Sequence, residues 1–329
     1  MKLPRRRVLQ LAAGVASLPA ASRFSSAETY PSRPITMVVP FPAGGPTDTL
    51  ARILADHMRT SLGQFIVIEN VSGASGSVGV GRVARAPPDG YTLSIGHWNT
   101  HVVNGATLTL HYDVLDDFEP VALLADTPIW MVARNTLPPK DLTELIAWLK
   151  QNPGKALWGA VGVGAASDLN AAYFENITGT KVQLVPYRGA APMNEDMIAG
   201  HIDLTLGMAA ATYPFVRSGQ MKAYAVMAKS RWWAAPDVPT MEEFGVQGLY
   251  ASFWHGLWVP KGTAKDIVAR LNSAVRSALA DPTVRQRYAD QGQAIPPPDQ
   301  QTPEALGKLQ KAEIEKWWPN IKAAGIKAE

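Results

Sequence analysis

The 329-residue chain contains no cysteine. That excludes disulfides, thiolate catalysis and cysteine-ligated zinc. The fold must then rest on its apolar core, which a chain of this length can supply because the buried fraction of surface rises with size. Also missing is any apolar run of the ~20 residues that a bilayer crossing needs. A basic surface is missing too. The formal charge of +3 comes from 31 Lys and Arg against 28 Asp and Glu. Five of those basic residues, Lys2, Arg5, Arg6, Arg7 and Arg23, fall in the opening stretch. The remainder carries 26 basic against 28 acidic residues and no basic stripe, so nucleic acid is not an expected partner.

That opening stretch, MKLPRRRVLQLAAGVASLPAASRFSSA, differs in kind from the rest. A basic start, a short Ala-rich apolar part and small residues at Ser25-Ser26-Ala27 have the layout of an export signal. Arg5-Arg6-Arg7-Val8-Leu9 fits its twin-arginine form. The sequence therefore predicts a removable segment over 1–27 and an exported protein.

From residue 35 onward the chain alternates between strand-like and helix-like patterns. Apolar runs at 35–41, 65–70, 91–96, 119–133, 182–189, 202–207, 223–228 and 252–260 read as strands, and 157–167 as a strand running into a glycine-rich loop. After the first two of them, and over 141–154, 168–178 and 190–200, helices are expected. In the first, Leu50, Ile53, Leu54, Met58 and Leu62 share a face that ends at Gly63. Three more helices close the chain over 264–281, 282–291 and 303–324. Adjacent Trp317 and Trp318 lie on the last of these, where only one is expected to face inward. Such alternation predicts an α/β fold of mostly parallel sheets flanked by helices. There are too many units for one small sheet, so two lobes are expected. Lobe 1 spans 28–126 and 251–329 and lobe 2 spans 127–250, with a ligand cleft at the carboxyl ends of the strands.

Two loops carry the functional signal. In VVPFPAGGPTDTLARIL the glycines allow a tight turn, and Thr47 or Asp48 is placed to cap a helix. The unpaired amides of that helix then point beyond the strand end, a ready place for a carboxylate or phosphate. Most such turns bind nothing. GAVGVGAASDLNAAYF repeats the construction in the other lobe, with Ser167 and Asp168 as caps, so two helix starts could grip one anion from both sides.

The chain is similar to the Bug (TctC-like) extracytoplasmic receptors of tripartite tricarboxylate transporters. YPSRPITMVVPFPAGGPTDTLARILADHMRTSLGQ, VIENVSGASGSVGVGRVARAPPDGYTL, WGAVGVGAASDLNAAYF, VPYRGAAPMNEDMIAGHIDL and GLWVPKGTAKDIVARLN carry the likeness in family order. The resemblance implies a monomeric, two-lobe (type II-like) periplasmic binding protein that holds a small organic carboxylate, needs no cofactor, and delivers its guest to membrane transporter subunits. It assigns ligand contact to Phe41, Gly44, Gly45, Thr47 and Asp48, and to His97, Trp98, Asn99 and Thr100. In the second lobe it assigns Gly162, Gly164, Ala165 and Ser167, joined by Tyr187, Arg188 and Gly189. Where the family often has an acidic residue for a ligand amine, this chain has Gly207, which disfavours an amino acid. His97 and Trp98 replace small residues and imply a flatter or aromatic acid.

Other constellations are weaker. His97 and His101 stand four apart, but no third metal ligand is evident. VGVGAAS lacks the acidic residue that a dinucleotide ribose would need after the next strand. SGASGSVG does not meet the G-x-S-x-G spacing. Asp113, Asp116 and Asp117 read as a solvated turn. Two rival functions stay open: an exported enzyme using His97 or His101, and a sensor subunit for a membrane kinase.

Overall fold

The computed structural model describes residues 30–161, 166–247 and 252–323. The export segment, Gly162, Gly164, Ala165 and one of the two predicted lobe crossings in part lie outside these residues. The strands are β1 (Ile35–Val39), β2 (Ile66–Asn70), β3 (Thr92–His97), β4 (Phe118–Arg134), β5 (Leu157–Val161), β6 (Gln183–Tyr187), β7 (Leu204–Met208), β8 (Met221–Val226) and β9 (Ser252–Pro260). The helices are α1 (Pro46–Leu62), α2 (Ser77–Ala84), α3 (Asn104–Thr107), α4 (Leu142–Gln151), α5 (Ala166–Thr178), α6 (Ala190–Ala199), α7 (Ala209–Arg217), α8 (Lys265–Ala280), α9 (Pro282–Asp290) and α10 (Pro303–Ala323).

The strands form one sheet in the order β2-β1-β3-β9-β4-β7-β5-β6, with β8 also paired to β4. β1, β2 and β3 run parallel, as do β5, β6 and β7. Strands β9 and β4 run antiparallel to their neighbours and join the two parallel blocks. The fold is thus mixed α/β, with the parallel blocks at its two ends. Pairing direction is a long-range property, so the antiparallel centre left no local mark on the sequence.

The first helix forms for local reasons. Pro46 sits at its first position, where a missing N–H costs nothing and φ is already helical, and Gly45 is the N-cap. Thr47 and Asp48 were expected to cap; they lie inside the first turn instead. Gly63 ends the helix in the left-handed conformation at φ 71° and donates its N–H to the Arg59 carbonyl. Leu50, Ile53, Leu54 and Met58 are buried against Leu271, Val275 and Leu279 of α8 and the β1–β3 face. Each such side chain contributes about 1.5–3 kcal/mol on burial.

Both α10 tryptophans pack inward, contrary to the expectation that one would face solvent. The Trp317 ring meets Trp98 edge-on at 5.2 Å. Trp318 Nε1 donates to the Val102 carbonyl at 2.9 Å. The helix lies in a groove between the 99–107 turn and β4, so two of its faces are covered. Under that turn, His101 stacks on Trp258 with ring centroids 3.7 Å apart. The stack lies over a glycine pair, Gly96 opposite Gly256. A Cβ on Gly96 would come within 2.4 Å of His101, and one on Gly256 within 2.5 Å of Trp258. Gly256→Ala should therefore cost about 1–3 kcal/mol through overpacking. Urea unfolding of the variant checks this; an unchanged midpoint would contradict the packing described.

Candidate functional site

β1, β3, β5 and β7 end on one side of the sheet, and a cavity of about 80 Å³ opens there between the two parallel blocks. Four helices begin at its wall. Pro46 and Thr47 belong to the first turn of α1, Ala166 and Ser167 to that of α5, Ala190 opens α6, and Ala211 and Thr212 lie in the first turn of α7. Each start carries amides with no partner inside its helix and a partial positive charge. Among the described residues, the lining contains no Asp, Glu, Lys or Arg.

Three hydroxyls in the wall are turned into donors by groups behind them. Ser167 Oγ accepts the Val161 N–H at 2.9 Å, and Thr212 Oγ1 accepts Trp130 Nε1–H at 2.7 Å. Thr47 Oγ1 is 3.2 Å from His255 Nε2, while His255 Nδ1 is buried without a partner among the described residues. An unpaired lone pair is cheaper to bury than an unpaired N–H, so the His255 proton belongs on Nε2 and points at Thr47. A hydroxyl that accepts from a fixed N–H keeps its own hydrogen for something else, and here each lies at the cavity wall.

His97 completes the set. Its ring is 6% exposed, stacks on Phe41 at 4.9 Å and meets Phe253 and His255 edge-on, each at 5.3 Å. Its Nδ1 accepts the Asn99 N–H at 3.2 Å, which puts the ring proton on Nε2. Burial, then the neighbouring His255 and His101, push its pKa well below the usual histidine value. Burial likewise holds His101 and His255 down at about 3. All three imidazoles are neutral at pH 7.

Of the residues expected at the site, Phe41, Gly45, Thr47, His97, Asn99 and Ser167 line the cavity. Gly44 and Asp48 instead hold the loop shape. The Asp48 carboxylate accepts the Gly44 N–H, Arg52 Nε and Asn70 Nδ2. Burial alone would raise its pKa, but those bonds outweigh it and keep the carboxyl below its ordinary range. Trp98 is fully buried in the core behind the wall, so the flat-guest expectation loses that support. Thr100 accepts the His97 N–H. Tyr187 donates to Asp196 at 2.6 Å, Arg188 is exposed, and neither lines the cavity. Gly189 is buried against Pro42 at the rim. The α5 start is at Ala166, so Ser167 and Asp168 are first-turn residues rather than caps. His101 points into the core, and no His, Asp or Glu cluster among the described residues suits a metal ion.

Sequence reasoning missed Asn170, Thr205, Met208, Thr212 and Phe253 in the wall, and His255 behind it. Asn170 had a signal, since it follows Ser167 by one helical turn. The α7 residues had a weaker one, Gly207 closing a strand before Ala209-Ala210-Ala211-Thr212.

Two contacts tie the halves across the cavity. Asn99 Oδ1 accepts the Ala166 N–H at 2.7 Å. Gly189 lies so near Pro42 that an added Cβ would be 2.7 Å from its Cδ.

A sheet with helices starting around a cleft at its strand ends defines a periplasmic-binding-protein fold of two lobes. Solved structures agree. The periplasmic binding protein BugD superposes with a TM-score of 0.86 at 38% identity, covering 91% of this chain and 100% of that one. MatC from Rhodopseudomonas palustris with bound malate gives 0.85 at 38% identity, covering 88% and 99%. R. palustris Rpa4515 with adipate gives 0.85 at 33% identity, covering 91% and 99%. The family model "Tripartite tricarboxylate transporter family receptor" (TctC) matches residues 50–326. This chain belongs to that family of extracytoplasmic solute-binding proteins, as its sequence motifs led one to expect.

Two outcomes are expected. Unfolded histidines take up protons below about 6.5, whereas His101 and His255 stay neutral toward about 3 and His97 also stays neutral well below its usual value. The unfolded state then binds more protons, so stability is full above 6.5 and falls as pH drops below it. Each imidazole contributes at most about 1.4 kcal/mol per pH unit. Urea unfolding between pH 7 and 5 should show this slope, and His101→Gln should lower it by about a third; a flat profile contradicts neutral burial. Separately, Gly189→Ala should hold the rim apart at Pro42 and weaken about tenfold, ~1.4 kcal/mol, the binding of whichever dicarboxylate wild type is found to bind, with the free protein's melting temperature unchanged. Calorimetric titration against wild type decides it.

Proposed function

We propose that this protein captures a small organic carboxylate in the periplasm and delivers it, chemically unchanged, to a tripartite tricarboxylate-type transporter. One observation carries the reading: four helix N-termini and three donor hydroxyls converge on a small cavity whose described lining holds no charged side chain. Such a wall suits an anion held by dipoles and hydrogen bonds. An ammonium finds no carboxylate there, in line with Gly207 standing where a relative would place an acid. That MatC and Rpa4515 carry malate and adipate supports the same class of guest. The reading includes a removable signal over 1–27, a monomer, lobes of 28–126 with 251–329 and of 127–250, and the remaining loop amides near Gly162, Gly164 and Ala165 as further contacts.

One contact favours a second reading, an enzyme: Thr47 Oγ1 and His255 Nε2 are 3.2 Å apart, as a hydroxyl nucleophile and its base would be. Two facts weigh against it. No group orients His255 through Nδ1, which has no partner among the described residues. Its pKa of about 3 is also far from that of an effective base at neutral pH.

The test adds dicarboxylates and amino acids singly and follows melting temperature and acid concentration together. A fitting dicarboxylate at a hundredfold its dissociation constant should stabilise by about 2.7 kcal/mol, several degrees, with no loss of the acid. Turnover, or stabilisation by amino acids alone, overturns the proposal.

A further inference from the structure

The carboxylate-receptor reading leaves open what the protein recognises beyond one carboxylate. Three of the four helix starts, those of α5, α6 and α7, come from the second half of the molecule. Across from them, on the wall built by β1, β3 and β9, stands a single polar side chain with an uncommitted nitrogen. The hydrogen bonds of His97 to described residues run through its N–H, its carbonyl and Nδ1 and none through Nε2, while the residue, 6% exposed, lines the cavity. The ring cannot turn freely. Phe41 covers one face, Phe253 and His255 press its edges, and Nδ1 is held by the Asn99 amide. Beside it the wall is formed by Phe41, Pro42 and Phe253, with Thr47 and Asn99 as its other polar residues on this side.

We propose, resting on the receptor reading, that His97 is the specificity-determining residue. Its Nε2–H meets an oxygen acceptor at the end of the guest remote from the anchored carboxylate. The selected class is then a carboxylic acid with a second oxygen function, a second carboxylate above all.

The chemistry follows from the fixed tautomer. An imidazole locked with its proton on Nε2 can only donate at that atom. A guest ending in a methyl group would leave this buried donor unpaired, and a buried donor without a partner discriminates strongly between ligands. A guest ending in an ammonium would set donor against donor. Asn99 ties this to closure of the cleft. Its backbone N–H fixes His97, while its side chain takes the Ala166 N–H of the opposite half. The closed rim and the aimed imidazole therefore depend on one residue.

The experiment titrates the mature protein with the straight-chain dicarboxylates from malonate to suberate, with phthalate, and with the monocarboxylate matching each. Wild type should bind its preferred dicarboxylate at least tenfold tighter than the matching monocarboxylate. His97→Phe keeps the stacking on Phe41 and removes the donor, so that ratio should fall to about one. His97→Gln restores a neutral donor and should recover most of it. A purely structural role would weaken both acids together and leave the ratio alone. In wild-type protein, the ¹⁵N resonance of His97 Nε2 should move on saturation with the dicarboxylate and stay put with the monocarboxylate; this reading holds even if a variant fails to fold. An unchanged ratio in His97→Phe, or a still Nε2 resonance, overturns the inference and leaves the receptor reading standing. Failure of every acid in the panel to bind overturns both.

Discussion

The arrangement depends on the continuity of β4. Its residues Phe118–Pro128 pair with β9, and Ile129–Ala133 pair with β7. Thr127 stands opposite Phe253 and Ile129 opposite Met208, so two walls of the cavity are hung two residues apart on one strand. At about 3.3 Å per residue, that fixes their separation at their base to roughly 7 Å. A helical or looped crossing would leave the distance free. With it set, the ends of β1 and β3 face the ends of β5 and β7, and the helices that follow begin around one small space.

Given that space, the helix starts supply the field and the hydroxyls the direction. An anion there meets the positive ends of several dipoles and no fixed cation among the described side chains. The one carboxylate close to the α1 start, Asp48, is turned from the cavity and bound by Arg52, Asn70 and the Gly44 amide. Facing inward it would oppose any anion. Its actual bonds instead make the loop that presents Gly45 and Thr47 rigid. The same economy applies to Ser167, Thr212 and Thr47, each oriented by an N–H buried behind it.

Much of this was legible because it is local. Glycine followed by a capping residue and a 3.6-residue apolar pattern marks a helix start, and the first-lobe loop and Ser167 were found that way. The 17-residue β4 was read as one extended stretch over 119–133, although Asp126 and Thr127 interrupt its apolar character. What escaped was non-local. Phe253 and His255 reach the site only through the antiparallel pairing of β9 with β3 and β4, which no short window encodes. α7 was passed over because Pro214 interrupts its pattern. Trp98 was assigned to the pocket by the family resemblance, yet the tight turn after β3 sends it into the core while His97 stays at the wall. Adjacent residues on a turn part ways, and only the packing of Trp317 against Trp98 shows which one is buried.

A neutral wall also bears on release. A buried arginine facing a carboxylate would hold it strongly, and once the guest left, the unpaired charge would be costly to bury. Helix ends and hydroxyls return to water at little cost when the halves part. Among the described residues, the interactions found across the rim are one hydrogen bond from Asn99 to the α5 start and the contact of Gly189 with Pro42. Under the proposed function, handing over a guest needs closed and open forms close in free energy, so that differential contact with the guest decides between them. Neutral donors arranged by the fold meet that requirement, whereas a charged clamp would hold the cleft shut around its ligand.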